Sequence, residues 1–325
     1  MIGHPTSERS AKTLALAGGV GGAKLAAGLQ SALPPEDLTV MVNTADDFRR
    51  WGLHISPDLD TVMYTLAGIA NPQTGWGLRG ETFEALNMLN RYGEDAWFKL
   101  GDRDLATHVL RTSRLHDGES LTEITADLSS TLGVRASVLP MCDEPVATLV
   151  HTPQGLLEFQ DYFVRRRQRD EVLGLDLRGI EEARVPRAVS DALAEAEVIV
   201  FCPSNPIVSI SPILAVPGMV ETLSAASAPK VAVSPIVGGR ALKGPADRMM
   251  GSLGHEVSAT GVARMYEGIV DGMVLDRADV AEEDGIVELG MEVLVTDAVM
   301  RDEKDRGRLA REVLEFAGAP GVRWT

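Results

Sequence analysis

Four stretches combine residue types that could do chemistry: GGVGGAK at 18–24, NTADDF at 43–48, PDLD at 57–60 and PSNPIVSISPIL at 203–214. In the first, Gly19, Gly21 and Gly22 let the backbone approach a ligand closely, and the N–H groups opening a helix, with Lys24, would attract an anion. Lys24 could equally lay its stem along that helix and touch no ligand. In the second and third, Asp46-Asp47 and the pair Asp58/Asp60 flank a strand-end loop. Two or three such carboxylates beside a phosphate would suit a magnesium ion, although an Asp at a helix start also serves as a cap. In the fourth, Ser204, Asn205, Ser209 and Ser211 could hold phosphate oxygens or a base edge without formal charge, or cap a turn between restraining prolines.

The glycine stretch matches neither familiar nucleotide pattern. A dinucleotide fingerprint aligned on Gly19 and Gly21 needs its third glycine where Lys24 stands, and a P-loop aligned on Lys24 fails at Ala23 and Leu25. The second strand ends in Asn43 rather than in a ribose-binding acid, which makes an NAD-dependent oxidoreductase a poor reading. His54 and His108 lack partners spaced like metal ligands, so neither is cast as a ligand or a base. Cys142 and Cys202 stand far apart without a CxxC, which argues against a disulfide framework or a structural zinc and for a reducing, cytoplasmic setting. The basic run RRRQR at 165–169 reads as a solvated face.

These stretches sit at the ends of predicted strands. Apolar runs at 13–17 and 38–43 flank a helix over 23–32, and a further helix spans 59–66. Helical patterns at 81–92, 104–115 and 121–132 precede the short runs ASVLP, ATLVH and GLLEFQ, which read as a small antiparallel sheet. Alternation then returns with a helix at 187–195, strands VIVF and KVAV, a helix near 217–225, and strand-like GMVLD and MEVLVTD. The expected fold is α/β: a Rossmann-like, doubly wound, mainly parallel sheet over 1–74 and 185–325, with an inserted smaller α+β subdomain over 75–184. In such a sheet ligands sit outside the carboxyl ends of the strands, where GGVGGAK, NTADDF, PSNPIVSISP and SPIVGGRALKGP (234–245) all fall.

A chain of 325 residues with 45% hydrophobic content buries a sizeable core. Its net charge of −16 weighs against duplex nucleic acid as a partner, whereas local cations or a bound metal still allow a small phosphorylated substrate. No segment approaches the apolar length of a membrane span, and residues 1–12 read as a short loose tail.

Taken together, GGVGGAKL, NTADDFRRWGLHISPDLDT, YTLAG, WFKLGDRDLATH, PSNPIVSISPIL and SPIVGGRALKGPADRMM resemble the 2-phospho-lactate transferase family of deazaflavin coenzyme biosynthesis, in order and as far as about residue 280. The resemblance implies magnesium-dependent transfer of a phospho-acid group from a guanosine-diphospho-linked acid to the ribityl hydroxyl of the deazaflavin FO. The products are GMP and the coenzyme F-420 precursor that lacks its glutamate tail. It further implies that Asp60, Lys99 and Arg103 face FO, and that Asp46 and Asp60 hold the metal. Asp47 would orient or deprotonate the hydroxyl. Gly19, Gly21, Gly22, Lys24, Ser204, Asn205, Ser209 and Lys243 would serve the guanosine diphosphate side. The donor acid, lactyl, enolpyruvyl or glyceryl, is not specified by these residues, and a homodimer is the default assembly. A related family, the nucleotide-sugar-binding regulators of gluconeogenesis-factor type, shares the glycine loop. It carries a glycine- and serine-rich tract where this chain has DDFRRWGLHISPDLD.

Overall fold

A computed structural model describes residues 10–318; of the expected N-terminal tail, residues 1–9 lie outside the described residues. Strand β1 (Thr13–Ala17) is buried along its whole length and leads into helix α1 (Gly19–Ala32). Strand β2 (Leu38–Val42) follows, then a hairpin of β3 (Phe48–Arg50) and β4 (Leu53–Ile55). Its two-residue turn, Trp51-Gly52, has φ of 50° and 78°, and two left-handed residues match the twist of paired strands. Helix α2 (Pro57–Leu66) starts with a proline at its first position, where the missing N–H costs nothing.

Helices α3 (Glu84–Arg91), α4 (Asp102–His116) and α5 (Leu121–Thr131) carry the chain to β5 (Ser137–Pro140). A three-stranded sheet is built from β6 (Ala147–Thr152), β7 (Gly155–Glu158) and β8 (Gly174–Arg178), with β6 central and antiparallel to both neighbours. Helix α6 (Arg187–Glu195), strand β9 (Val198–Phe201), the short helices α7 (Ser211–Ala215) and α8 (Met219–Ala225) and strand β10 (Lys230–Val233) come next. A small hairpin, β11 (Ile236–Val237) with β12 (Arg240–Ala241), precedes α9 (Ala246–Ser252) and α10 (Ala259–Met265). Strand β13 (Gly272–Asp276), α11 (Glu283–Val287), β14 (Glu292–Thr296) and α12 (Glu303–Phe316) close the fold.

The central sheet has seven strands in the order β14-β13-β10-β9-β1-β2-β5, all paired in parallel. The order reverses between β1 and β9, so the connections to β2 and β10 run in opposite directions from this point, the switch point at which ligands bind in such sheets. Because both faces are covered, alternate residues of one strand enter different cores. Leu14 and Leu16 pack with α6, α8 and the small sheet, while Ala15 and Ala17 pack with α1, α2 and α12.

Two sequence expectations change. ASVLP is not part of the small antiparallel sheet: β5 pairs in parallel with β2, Val40 opposite Val138, and its Val138 and Leu139 enter opposite cores. That double burial marks a core strand, so the region 75–184 lends one strand to the central sheet. Helix α1 starts at Gly19, so the glycine stretch forms the first turn of the helix and not a loop before it.

Candidate active site at the sheet switch point

A cleft of about 790 Å³ opens over the carboxyl ends of the strands, and residues from all four strand-end stretches line it. Gly19, Gly21, Lys24, Asp46, Asp60, Lys99, Ser204, Asn205, Ser209 and Lys243 are on its wall. Gly22, Asp47 and Arg103 are not.

The glycines are first a matter of contact. A Cβ at Gly21 would stand 2.2 Å from the Pro203 carbonyl oxygen, and one at Gly22 would stand 2.5 Å from Ser204 Oγ and 3.1 Å from Ala17 Cβ. The turn after β1 therefore lies directly on the turn after β9. Ser204 fastens the two, accepting from Gly18 N at 3.0 Å and donating to Gly18 O at 2.9 Å. Asn205 caps its own loop by accepting from the Ile207 and Val208 N–H groups at 2.9 and 3.4 Å.

Asp58 fills part of the place where an anion was expected. Its carboxylate accepts from Asn43 Nδ2 at 3.0 Å, and a hydrogen bond from the Gly19 backbone also favours its charged form. From the first turn of α2 it thus reaches the backbone of the first residue of α1, while Ser56 at the N-cap of α2 makes no side-chain cap bond. Burial nevertheless pushes the Asp58 carboxyl up to about 6, with the nearby Asp47 charge adding to the shift. Asp46 is raised well above the carboxylate range, by burial first and then by Asp58 and Asp47, and its Oδ1 has no hydrogen-bond partner among the described residues. Among the described residues no cation is paired with either of these buried carboxylates. Hard oxygen ligands carrying uncompensated charge are what a magnesium ion takes.

Asp60 is in a different position, for its two oxygens face the two terminal nitrogens of the buried Arg111, Oδ2 at 3.1 Å from Nη1. Asp104 accepts from the Tyr64 hydroxyl at 2.7 Å, and its Oδ1 lies 3.4 Å from His108 Nε2. Burial opposes the Asp104 charge, but His108, Tyr64 and Arg111 outweigh it and hold that carboxyl below its usual range. Asp104 does not cap α4; Glu81 does, accepting from the Arg103 and Asp104 N–H groups at 3.0 and 2.9 Å. Ligand atoms of Asp60, Asp104 and His108 lie within 4.8 Å of one another, so this cluster could also hold a cation, with Arg111 as competitor. The reading of His108 as partnerless is thus corrected: its partners come from α2 and from the preceding turn of α4. Arg111 was missed, yet Asp104, His108 and Arg111 at i, i+4 and i+7 share one helix face, and that spacing was legible.

Asp47 lies behind the cleft wall, where Ser56 Oγ donates to its Oδ2 at 2.7 Å and His54 Nε2 sits 2.9 Å from the same oxygen. Arg103 turns away and donates to the Arg79 carbonyl. In the basic run, Arg165 pairs with Asp95 at 2.6 Å and Arg166 with Asp170, while Phe163 and Val164 just before it line the cleft.

Cations collect at the opposite end. Lys24 Nζ donates to the Met300 carbonyl at 2.8 Å and Lys243 Nζ to the Thr74 carbonyl at 3.2 Å. Burial lowers the Lys24 pKa, and the Lys243 and Arg306 charges lower it further. Arg301 lines the same end. Toward α4 the wall is aromatic, with Phe98, Phe159 and Phe163; Phe98 packs edge-on against Phe48 at 4.9 Å, and Phe159 stacks on Phe163 at 5.4 Å.

A doubly wound α/β protein with a cation-rich end, an aromatic end and buried carboxylates between them belongs to the class that moves phosphorylated groups between small molecules. The sequence model of the family described as 2-phospho-L-lactate transferase CofD matches residues 13–308, and the chain belongs to that family. It is a transferase of phospho-acid groups. A 2-phospho-L-lactate transferase of Methanosarcina mazei is 42% identical over 298 residues, 92% of this chain and 98% of that protein. A phosphoenolpyruvate transferase of Streptomyces griseus is 40% identical over 312 residues, 94% and 98% of the two chains. The crystal structure of a UPF0052-family protein of Bacillus halodurans has the same fold, with a TM-score of 0.66 at 16% identity over 94% of this chain and 99% of that one. Among the described residues no single helix is long and apolar enough to cross a membrane.

Proposed function

We infer that the chain transfers a phospho-acid group from a guanosine-diphospho-linked acid to the ribityl hydroxyl of FO, with magnesium, releasing GMP and forming the glutamate-free precursor of coenzyme F-420. The observation that carries this reading is the division of the cleft. Asp58 lies at the first turn of α1 with the Asp46 charge close to it, the cations Lys24 and Lys243 and the aromatic Phe98, Phe159 and Phe163 line the same cleft, and Asp60 is balanced by Arg111.

Asp46 and Asp58 would hold the magnesium ion, which when bound neutralises phosphate charge. Asp58 thereby takes the place of Asp60 in the Asp46–Asp60 set expected from sequence, since Arg111 already faces both Asp60 oxygens. Lys24, Lys243 and the opening turn of α1 bind the donor diphosphate, each lysine trading a backbone carbonyl for phosphate oxygen. Phe98, Phe159 and Phe163 hold the flat deazaflavin, Lys99 reaches it from the rim, and Asp60 accepts a hydrogen bond from the ribityl hydroxyl. The hydroxyl oxygen bonds to the acid-bearing phosphorus as the bridging P–O bond to GMP breaks, and its proton leaves through Asp60. Such a loose transfer needs chiefly alignment and charge balance. Asp47 acts from behind, fixing Ser56 and the loop that carries Asp46.

Incubation of the protein with FO, magnesium and each guanosine-diphospho-acid in turn, followed by mass spectrometry, tests the reading. One donor should yield phospho-acyl-FO and GMP; no product with the lactyl, enolpyruvyl or glyceryl donor would refute it.

A further inference from the structure

Trp76 is 44% exposed, yet it lines the cleft. The other described tryptophans have partners: Arg50 lies over the Trp51 ring at 4.8 Å, and Trp97 stacks on Phe48 at 6.3 Å. Among the described residues the Trp76 indole has no ring, cation or hydrogen-bond partner. A large flat apolar side chain left open in a cleft, with its backbone held, is positioned for a flat ligand.

Its backbone is held firmly. Asn71 N donates to Gly77 O at 2.9 Å and Gly75 N to Asn71 O at 2.8 Å, closing the loop on itself. Thr74 Oγ donates to Trp76 O at 2.6 Å, and the flanking Gly75 and Gly77 have φ of 82° and 68°, which few other residues adopt. The loop is also seated at a definite place. A Cβ on Gly75 would meet Val20 Cγ1 at 2.7 Å and Lys243 Nζ at 3.2 Å, so the loop rests on the first turn of α1 beneath Lys243. That is the phosphate end of the cleft.

Resting on the donor assignment above, we propose that Trp76 is the stacking platform for the purine base of the nucleoside diphosphate donor. A base attached to a diphosphate at Lys24 and Lys243 comes within reach of this indole, while the other flat substrate has its own aromatic wall at Phe98, Phe159 and Phe163. Stacking on an open indole replaces two wetted apolar faces by one contact and is worth tenfold or more in affinity.

The test measures GDP binding in magnesium by calorimetry and FO binding by fluorescence titration for the full-length protein, Trp76→Phe and Trp76→Ala, with melting temperatures as the folding control. Trp76→Ala should weaken GDP at least tenfold, Trp76→Phe less than threefold, and FO should stay within twofold in both. Unchanged GDP affinity in Trp76→Ala, loss of FO in place of GDP, or equal losses in the two variants overturns the proposal while leaving the transferase reading intact. Failure of the wild type to bind either molecule overturns both.

Discussion

Arg111 reaches Asp60 with both terminal nitrogens, and the two side chains are almost completely buried, at 1% and 7% exposure. The pair joins α4 to the first turn of α2 and sets the side of the cleft assigned to the acceptor. A buried carboxylate stripped of its guanidinium is costly, by about 3–5 kcal/mol. Arg111→Met should therefore lower the unfolding free energy by that order, read as a lower urea midpoint without a change in slope, and adding Asp60→Asn should recover part of the loss. A loss of unfolding free energy under about 1 kcal/mol would show that the pair contributes little.

Asp60→Asn keeps the shape and removes the charge that receives the hydroxyl. Its turnover should fall more than tenfold, about 1.4 kcal/mol of barrier or more, with GDP affinity unchanged. Near-normal turnover at saturating FO would reduce Asp60 to a structural partner of Arg111.

Asp58 moves from 3.8 to about 6 on folding, and Asp46 moves in the same direction. The folded state thus binds these protons more tightly than the unfolded chain does. The contribution of Asp58 to stability is complete below 3.8 and is lost as pH rises through about 6, and that of Asp46 is lost in the same direction. The metal-free protein should melt at progressively lower temperature from about pH 4 to about pH 6, and magnesium at the upper end should restore it. Calorimetry checks this; the slope should flatten in Asp58→Asn, and an equally steep slope there would assign it to other groups.

Gly21 and Gly52 separate contact from backbone freedom. Gly21→Ala drives a methyl toward the Pro203 carbonyl, 2.2 Å away, so it should cost about 1–3 kcal/mol and weaken GDP by displacing the turn. At the hairpin tip Gly52 has φ of 78° and nothing within 4 Å, so Gly52→Ala should cost only about 1–2 kcal/mol of left-handed strain and leave GDP binding alone. Equal effects on GDP affinity would remove the Pro203 contact from the account.

The switch-point cleft was legible because strand periodicity and the residues after each strand are local properties. VIVF, the VAV of KVAV and the MVL of GMVLD are apolar throughout, as strands covered on both faces must be, and the loops after β1, β2, β9 and β10 all line the cleft. β5 was misplaced because a four-residue apolar run does not say which sheet it joins; its pairing with β2 crosses almost a hundred residues of chain.

The sequence by itself determined the α/β alternation, the places where chemistry could occur and the family. Tertiary structure decided which charges are balanced. Asp58 and Asp60 are two residues apart in one helical turn, yet one faces Gly19 and Asn43 beside the carboxylate of Asp46 and the other meets Arg111 and His108. Charge balance in a buried site depends on distance in space and on access to water, and neither is written in the spacing of residues along a chain.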